Sequence, residues 1–221
     1  MYPLRTLAAP ARRLAIALLA AAATACGAAT SSTTPPLIQP GAPGQASRVV
    51  TAEQAADQSK VLATEADVKF MQGMIHHHAQ ALDMTALLFT NSNGADMKML
   101  AKRIDLSQAD EIKFMRRWLE VRGAEVPGEH AHHMPGAPMM PGMLDAGEMA
   151  RLADAKGAAF DRLFLEGMIK HHAGALTMVA ELFATQGAGQ EAEIFGFASD
   201  VDADQRMEIA RMSAMLKELQ K

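Results

Sequence analysis

Two similar stretches decide the fold of this chain. Residues 70–89 read FMQGMIHHHAQALDMTALLF, and residues 164–183 read FLEGMIKHHAGALTMVAELF. They align without gaps, and most of the aligned positions are identical. An internal repeat of this kind indicates that one supersecondary unit occurs twice in the chain.

Each copy of the repeat continues into a second matching segment. Residues 108–119 read QADEIKFMRRWL, and residues 205–216 read QRMEIARMSAML. Aromatic residues make up only 5% of the chain, and Ala, Leu and Met supply most of its apolar side chains. This composition favours helices over strands. The sequence therefore predicts an all-α four-helix bundle made of two duplicated αα-hairpins.

Capping and turn residues predict where these helices begin and end. Thr64 with Asp67, and Asp145 with Glu148, have the spacing of a capping box and predict the start of each repeat. Turns are predicted at 91–94, at Gly123, and at Gly187 and Gly189. The predicted bundle covers residues 51–221, with the first repeat at about 64–122, a connection at 123–144 and the second repeat at about 145–221.

The helical period places part of the histidine cluster on the core-facing side. At 100° per residue, His77 falls within an apolar stripe, His78 lies at its margin and His76 points to solvent. The second copy keeps the His-His pair but has Lys170 in place of His76. The retained candidate metal ligands are Met74, His77, His78, Met84, Met168, His171, His172 and Met178.

The second helix of each repeat is expected to place polar side chains against these histidines. Gln108, Glu111, Gln205 and Glu208 lie on otherwise apolar helix faces. A buried ion without a partner is unfavourable by several kcal/mol, so Glu111 and Glu208 are predicted to face the imidazoles. Two interpretations follow. The polar layer fixes the packing of the hairpins, or the histidines and methionines bind a metal that these residues help to orient.

The connection between the repeats has a second group of candidate ligands. Residues 130–143 read HAHHMPGAPMMPGM, and prolines at this density exclude a helix. Clustered His and Met without periodicity are typical of a soft-metal site, although a linker of biased composition is the alternative. The candidate ligands here are His130, His132, His133, Met134, Met139, Met140 and Met143.

The N-terminal region predicts export. Residues 1–25 combine three arginines with an apolar run that is too short to span a bilayer, as in a signal peptide. Small residues precede Cys26, the only cysteine, which resembles the lipidation site of a bacterial lipoprotein. The alternative is simple secretion after Ala25. Residues 26–50 are rich in Ala, Ser, Thr, Pro and Gly and are predicted to be a disordered tether. The protein is thus expected outside the cytoplasm, anchored to the membrane by lipid.

Several functions have no support in the sequence. A formal net charge of −4 without a basic patch argues against a nucleic-acid partner. The HExxH, P-loop, nucleophile-elbow and CxxC patterns are absent from the sequence. Di-iron bundle enzymes use Glu-x-x-His on helices, whereas Met74 and Met168 occupy the corresponding Glu position in the two repeats. The sequence therefore predicts a binding protein and not an enzyme.

The duplicated F-x2-G-M-I-x-H-H-A pattern resembles the DUF305 family of exported bacterial proteins, over about residues 60–221. The resemblance implies a ferritin-like four-helix arrangement. Some members are similar to periplasmic copper-binding, copper-tolerance proteins that use Met and His. Carried over by pattern, this points to the His-His pairs and flanking methionines of both repeats.

The leading hypothesis is an extracytoplasmic protein that sequesters Cu(I) or passes it to a partner protein whose identity the sequence does not give. Thioether and imidazole ligands without thiolate suit Cu(I). The main alternative is a structural or interaction bundle whose His-Glu layer only stabilises the fold. A ferritin-like redox metalloprotein is the third possibility.

Overall fold

The computed structural model describes residues 36–39, 47–56, 62–128 and 139–220, and it divides the chain into two units. The first unit, residues 1–51, contains strands β1 (Leu37–Gln39) and β2 (Arg48–Val50). They pair antiparallel, with Leu37 opposite Val50. This hairpin lies within the segment predicted to be a tether, where no strand was expected. Ile38 and Val49 are 62% and 70% exposed, so backbone pairing and not burial defines these strands.

The second unit, residues 52–221, is all-α, as predicted. Its described helices are α1 (Ala52–Ala56), α2 (Glu65–Asn91), α3 (Ala95–Val121), α4 (Ala146–Asp154), α5 (Gly157–Ala184) and α6 (Ala192–Glu218). The hairpin α2–α3 is the first repeat, and the hairpin α5–α6 is the second. The two hairpins pack through α2 and α5, which carry the His-His pairs.

The capping residues explain most helix boundaries. Thr64 forms the predicted capping box, since its side chain accepts from the Asp67 amide while the Asp67 carboxylate accepts from the Thr64 amide. The turn after α3 uses Gly123 at φ +65°, a left-handed conformation that favours glycine. Both features were predicted from the sequence.

The start of the second repeat differs from the prediction of one long helix. The capping box of Asp145 and Glu148 exists, but it begins the short helix α4. The chain is extended at Ala155, and Gly157 at φ +56° then starts α5 separately. The Asn91 side-chain amide donates to the Ala153 carbonyl, 3.0 Å away, and so holds the end of α4 against the end of α2. A capping box marks where a helix begins but carries no information about its length.

The apolar core of the bundle consists of two clusters. The first cluster includes Met74, Met115 and Met178, and the second includes Met84, Met168 and Met212. The first cluster joins Met74 in the first half of α2 to Met178 in the second half of α5. The second cluster joins Met84 in the second half of α2 to Met168 in the first half of α5. This arrangement requires that α2 and α5 cross antiparallel, related by an approximate twofold axis between the clusters.

Among the described residues, no helix is both long enough and apolar enough to cross a bilayer. The predicted signal segment and Cys26 lie outside the described residues.

Candidate functional site

Four histidines form a buried polar layer between the two apolar clusters. His77, His78, His171 and His172 all have no exposed surface. The rings of His77 and His171 stack across the α2–α5 contact, with centroids 3.7 Å apart and planes inclined by 37°. The helical period thus placed the histidine pairs correctly, and the stacking brings the two repeats together at this layer.

The glutamates contact the second histidine of each pair, as predicted. His78 Nε2 lies 2.5 Å from the Glu111 carboxylate, and His172 Nε2 lies 2.7 Å from Glu208. Because a carboxylate only accepts, each Nε2 carries a proton that it donates. In a neutral imidazole the Nδ1 atom then has a free lone pair. The carboxylates therefore orient both rings with Nδ1 on the side away from the glutamate.

The outer contacts of the two carboxylates differ. Glu111 accepts a hydrogen bond from Ser107, 3.0 Å away, on its own helix. The other carboxylate, Glu208, lies 3.5 Å from Arg103, which belongs to the opposite repeat. Burial opposes ionisation of Glu111, but the hydrogen bonds from His78 and Ser107 still hold the pKa of Glu111 below its usual value. Both carboxylates are thus held in place from outside the layer.

The connection between the repeats covers one side of this layer. The Pro141 carbonyl accepts a hydrogen bond from His77 Nε2 at 3.1 Å. The Gln80 side chain both donates to the Leu144 carbonyl and accepts from its amide, at 2.8 and 2.7 Å. On α5, Gly174 allows very close approach, since a Cβ there would lie 1.9 Å from the Pro141 oxygen. We call residues 139–144 the strap.

Burial keeps the stacked imidazoles neutral. It lowers the pKa of His77 to about 3, with further lowering from His78 and His172. Burial also lowers the pKa of His171 well below its usual value. A neutral imidazole retains a lone pair for coordination at any pH above that range.

Several buried polar atoms have no hydrogen-bond partner among the described residues. They are Nδ1 of His77, His78 and His172, both ring nitrogens of His171, both amide atoms of Gln108, Oε1 of Gln205 and Oδ1 of Asp161. Each such atom is unfavourable by about 1–3 kcal/mol. Of the eight imidazole nitrogens in the layer, three have a hydrogen-bond partner among the described residues and five have none.

The nature of the ligand set follows from two further facts. Within the described ranges, no three or more His, Cys, Asp or Glu side chains are arranged to hold a metal ion. Cu(I) is satisfied by soft sulfur ligands together with imidazole. Imidazoles together with buried thioethers are a ligand set of that kind.

The predicted methionine ligands lie above and below the histidine layer. Met74, Met84, Met168 and Met178 are all buried in the two apolar clusters. In the strap, Met143 is buried, Met140 is half-buried and Met139 is 58% exposed. The Met140 amide lies 3.3 Å from the Met143 sulfur. The remaining predicted loop ligands, His130, His132, His133 and Met134, lie outside the described residues.

Three contributors to the site were not predicted from the sequence: the Pro141 carbonyl, Gln80 and Arg103. The repeat alignment contained one signal, because Gln80 in the first copy corresponds to Gly174 in the second. That difference marks the two surfaces that receive the strap. A backbone carbonyl such as that of Pro141 leaves no side-chain signal, and Arg103 contacts a residue of the other repeat.

Comparisons with known proteins agree with this architecture. Residues 67–216 match the family model described as a domain of unknown function, DUF305. A DUF305 fragment from Deinococcus radiodurans is 31% identical, covers 71% of this chain and 98% of its own, and has a TM-score of 0.60. A candidate secreted DUF305 protein from Streptomyces coelicolor is 26% identical, covers 70% and 92%, and has a TM-score of 0.59.

A third similar structure is that of a protein named CopM, solved with metals. Its Cu(I)-bound form is 27% identical to this chain, covers 69% of it and 96% of its own length, and has a TM-score of 0.53. Cu(II)-bound and Ag-bound forms of CopM are similar to the same extent. The comparison with curated protein sequences gives no match.

Proposed function

The chain belongs to the DUF305 family, and from that premise we propose that it is an extracytoplasmic protein that binds Cu(I) for sequestration or transfer. The observation that carries this proposal is the set of unpartnered nitrogen atoms on four fully buried histidines. Neutral imidazoles flanked by buried thioethers are a ligand set for a soft cation. CopM, which has the same fold, binds copper and silver.

The proposed role of each residue follows from its contacts. The unpartnered ring nitrogens of all four histidines supply imidazole ligands. Glu111 and Glu208 fix the orientation of His78 and His172 through Nε2. Met74, Met84, Met168 and Met178 are the proposed sulfur ligands. Binding, not catalysis, is the proposed activity. The metal would supply the partner that the buried nitrogens lack.

The proposed location is outside the cytoplasm, with Cys26 as the lipid anchor. A similar protein from Streptomyces coelicolor is described as a candidate secreted protein. In an oxidising compartment a thiol site is readily lost to oxidation, whereas His and Met ligands persist. The composition of the histidine layer suits this location.

An anaerobic titration of the purified, exported protein with Cu(I) against a competing chelator tests the proposal, with Zn(II) and Fe(II) run in parallel. We expect tight, saturable uptake of Cu(I) and little uptake of the other two ions. The double variant His77→Ala, His171→Ala should lose this uptake. Absence of Cu(I) uptake by the unmodified protein would overturn the proposal.

The alternative function is a structural or interaction bundle in which the histidine layer only fixes the packing. The ion-pair contacts of His78 with Glu111 and of His172 with Glu208 favour it, because they give one ring nitrogen of each of these two histidines a partner without metal. This alternative predicts that the same double variant loses several kcal/mol of apo stability while any copper uptake is unchanged. The two functions thus make opposite predictions for one protein variant.

A further inference from the structure

The surface of α2 at Gly73 carries a thioether contact that the other repeat lacks. A Cβ built on Gly73 would lie 3.0 Å from the Met140 sulfur and 3.4 Å from the Met178 methyl. The absence of a side chain at Gly73 lets the Met140 sulfur lie close to the helix backbone.

The equivalent position in the second repeat is Gly167. A Cβ there would lie 3.1 Å from a methyl of Leu144 and 3.4 Å from the Met84 methyl. The approximate twofold axis therefore relates Met178 to Met84, but it relates Met140 to a leucine. Both glycines accept a strap side chain, and only the first accepts a sulfur atom.

A second difference at the same place points in the same direction. His76 of the first repeat corresponds to Lys170 of the second. The Lys170 ammonium is paired with both carboxylate oxygens of Glu148, at 2.7 and 2.8 Å. An ammonium group has no lone pair with which to bind a metal, whereas a neutral imidazole has one. At both places, a residue that can bind a metal, Met140 or His76, lies at the first repeat. A residue that cannot, Leu144 or Lys170, lies at the second repeat.

His76 and Met140 line one surface cavity of about 530 Å³. Gln72, Glu125 and Lys69 also line it, and Gln72 donates to the Glu125 carbonyl at 2.8 Å. Lys69 pairs with Glu65 at 2.7 Å, so its charge is compensated at the edge of the cavity. One imidazole with one thioether suits a soft monovalent ion of low coordination number.

We propose that His76 and Met140 form an outer binding site for a soft monovalent cation, Cu(I) or Ag(I), on the surface above the histidine layer. The inference rests on the proposed function only for the identity of the metal. The outer site adjoins the buried layer, because Pro141, the next residue of the strap, accepts a hydrogen bond from His77. Metal bound by Met140 therefore lies one residue along the chain from the contact that covers the stacked imidazoles.

A titration with Ag(I), which has the ligand preferences of Cu(I) without its redox chemistry, tests the outer site. The exported protein carries ¹³C-labelled methionine methyl groups, so that NMR reports each thioether during the titration. Two variants replace the outer ligands by the residues that the second repeat uses, His76→Lys and Met140→Leu. Met99→Leu is the matched control, since Met99 is a methionine of α3 outside the candidate ligands and is 58% exposed.

We expect the Met140 methyl resonance to shift with Ag(I), and each outer variant to weaken one equivalent of binding about tenfold or more. Met99→Leu should leave the titration unchanged. Equal Ag(I) stoichiometry and affinity in both outer variants and the control would overturn the outer site. The unmodified protein would still bind metal in that case, so the proposed function would stand.

The double variant His77→Ala, His171→Ala makes the converse test, because it removes buried histidines and leaves His76 and Met140 in place. If the Met140 shift persists in it while other equivalents are lost, the outer site is supported as an independent site. If the Met140 shift is lost with the buried histidines but is unaffected by His76→Lys, the outer site is overturned, and Met140 belongs to the buried layer. Circular dichroism verifies that each variant is folded.

Discussion

The two repeats have the same buried histidine–glutamate contact and differ in the residues that surround the glutamate. In both, the second histidine of the pair contacts a glutamate of the partner helix. In the first repeat Ser107 donates to that glutamate, whereas Asp204 occupies the equivalent position in the second and cannot donate when ionised. Burial and the nearby carboxylates raise the pKa of Asp204. The second glutamate instead lies near Arg103 of the first repeat.

The strap accounts for the largest structural difference between the two repeats. A duplicated hairpin has two equivalent surfaces beside its twofold axis, but the chain has only one connection between the repeats. That connection binds α2 through Gln80 and lies against α5 at Gly174. His77 consequently has a partner at Nε2, whereas its counterpart His171 has none at either ring nitrogen among the described residues. A symmetric sequence repeat thus gives two chemically different histidine pairs.

The largest expected effect comes from filling the space that the strap occupies. Gly174→Ala places a Cβ against the Pro141 backbone, which cannot move as a flexible side chain would. We expect a loss of roughly 3 kcal/mol in the free energy of unfolding, measured by denaturant titration of the apo protein. Gly196→Ala in α6 is the control, because no atom lies near its Cβ, and it should stabilise the protein by up to about 1 kcal/mol. Equal effects of both substitutions would contradict the docked strap.

The second largest effect is expected for removal of the glutamates, and it should differ between Glu208 and Glu111. Glu208→Ala removes the partner of a fully buried His172 from a site that is only 5% exposed, and we expect a loss of about 2–3 kcal/mol. Its counterpart Glu111 is 19% exposed, so solvent can replace part of its role, and Glu111→Ala should be less destabilising by about 1 kcal/mol. Chemical denaturation of both variants at neutral pH measures the difference. The reverse order would show that the outer contacts, and not burial, determine these energies.

Acid should destabilise the apo protein through the stacked pair. The unfolded chain takes up a proton on His77 near pH 6.5, while the folded chain takes it up only near pH 3. Stability is therefore fully present above pH 6.5 and falls as the pH drops toward 3. Between pH 6.5 and 5 the loss from His77 alone is roughly 2 kcal/mol, and His171 acts in the same direction. Denaturation curves measured across this range test the prediction. His77→Gln should reduce the number of protons taken up on unfolding, which sets the slope of stability against pH, by about one.

The smallest effect is expected for a substitution that gives the second repeat the histidine that the first repeat has at His76. Lys170→His removes a half-exposed ion pair with Glu148, and we expect a change of less than about 1 kcal/mol in stability. It should add no equivalent of Ag(I) binding, because Leu144 offers no sulfur atom at Gly167. Thermal denaturation and a silver titration check both points. A gained equivalent would show that a histidine alone is sufficient at this position.

Much of the fold was predictable because helical signals are local. The capping box at Thr64, the turn at Gly123 and the inward orientation of His77 all depend on residues within a few positions of one another. The break before Gly157 was not predicted, although this glycine at φ +56° is itself a local feature. The contact that holds α4 beside α2 joins Asn91 to the distant carbonyl of Ala153, which no local pattern encodes.

The sequence by itself determined the duplication, the two hairpins and the layer in which histidines of α2 and α5 meet glutamates of α3 and α6. Periodic side chains specify which face of a helix is buried, and the repeat identifies the residues that matter in both copies. Only the tertiary structure decided the path of the strap, the partner of His77 and the position of Met140 over Gly73. These contacts join residues about 60 positions apart or more, such as His77 and Pro141, and they depend on how two complete hairpins pack, which no local pattern encodes.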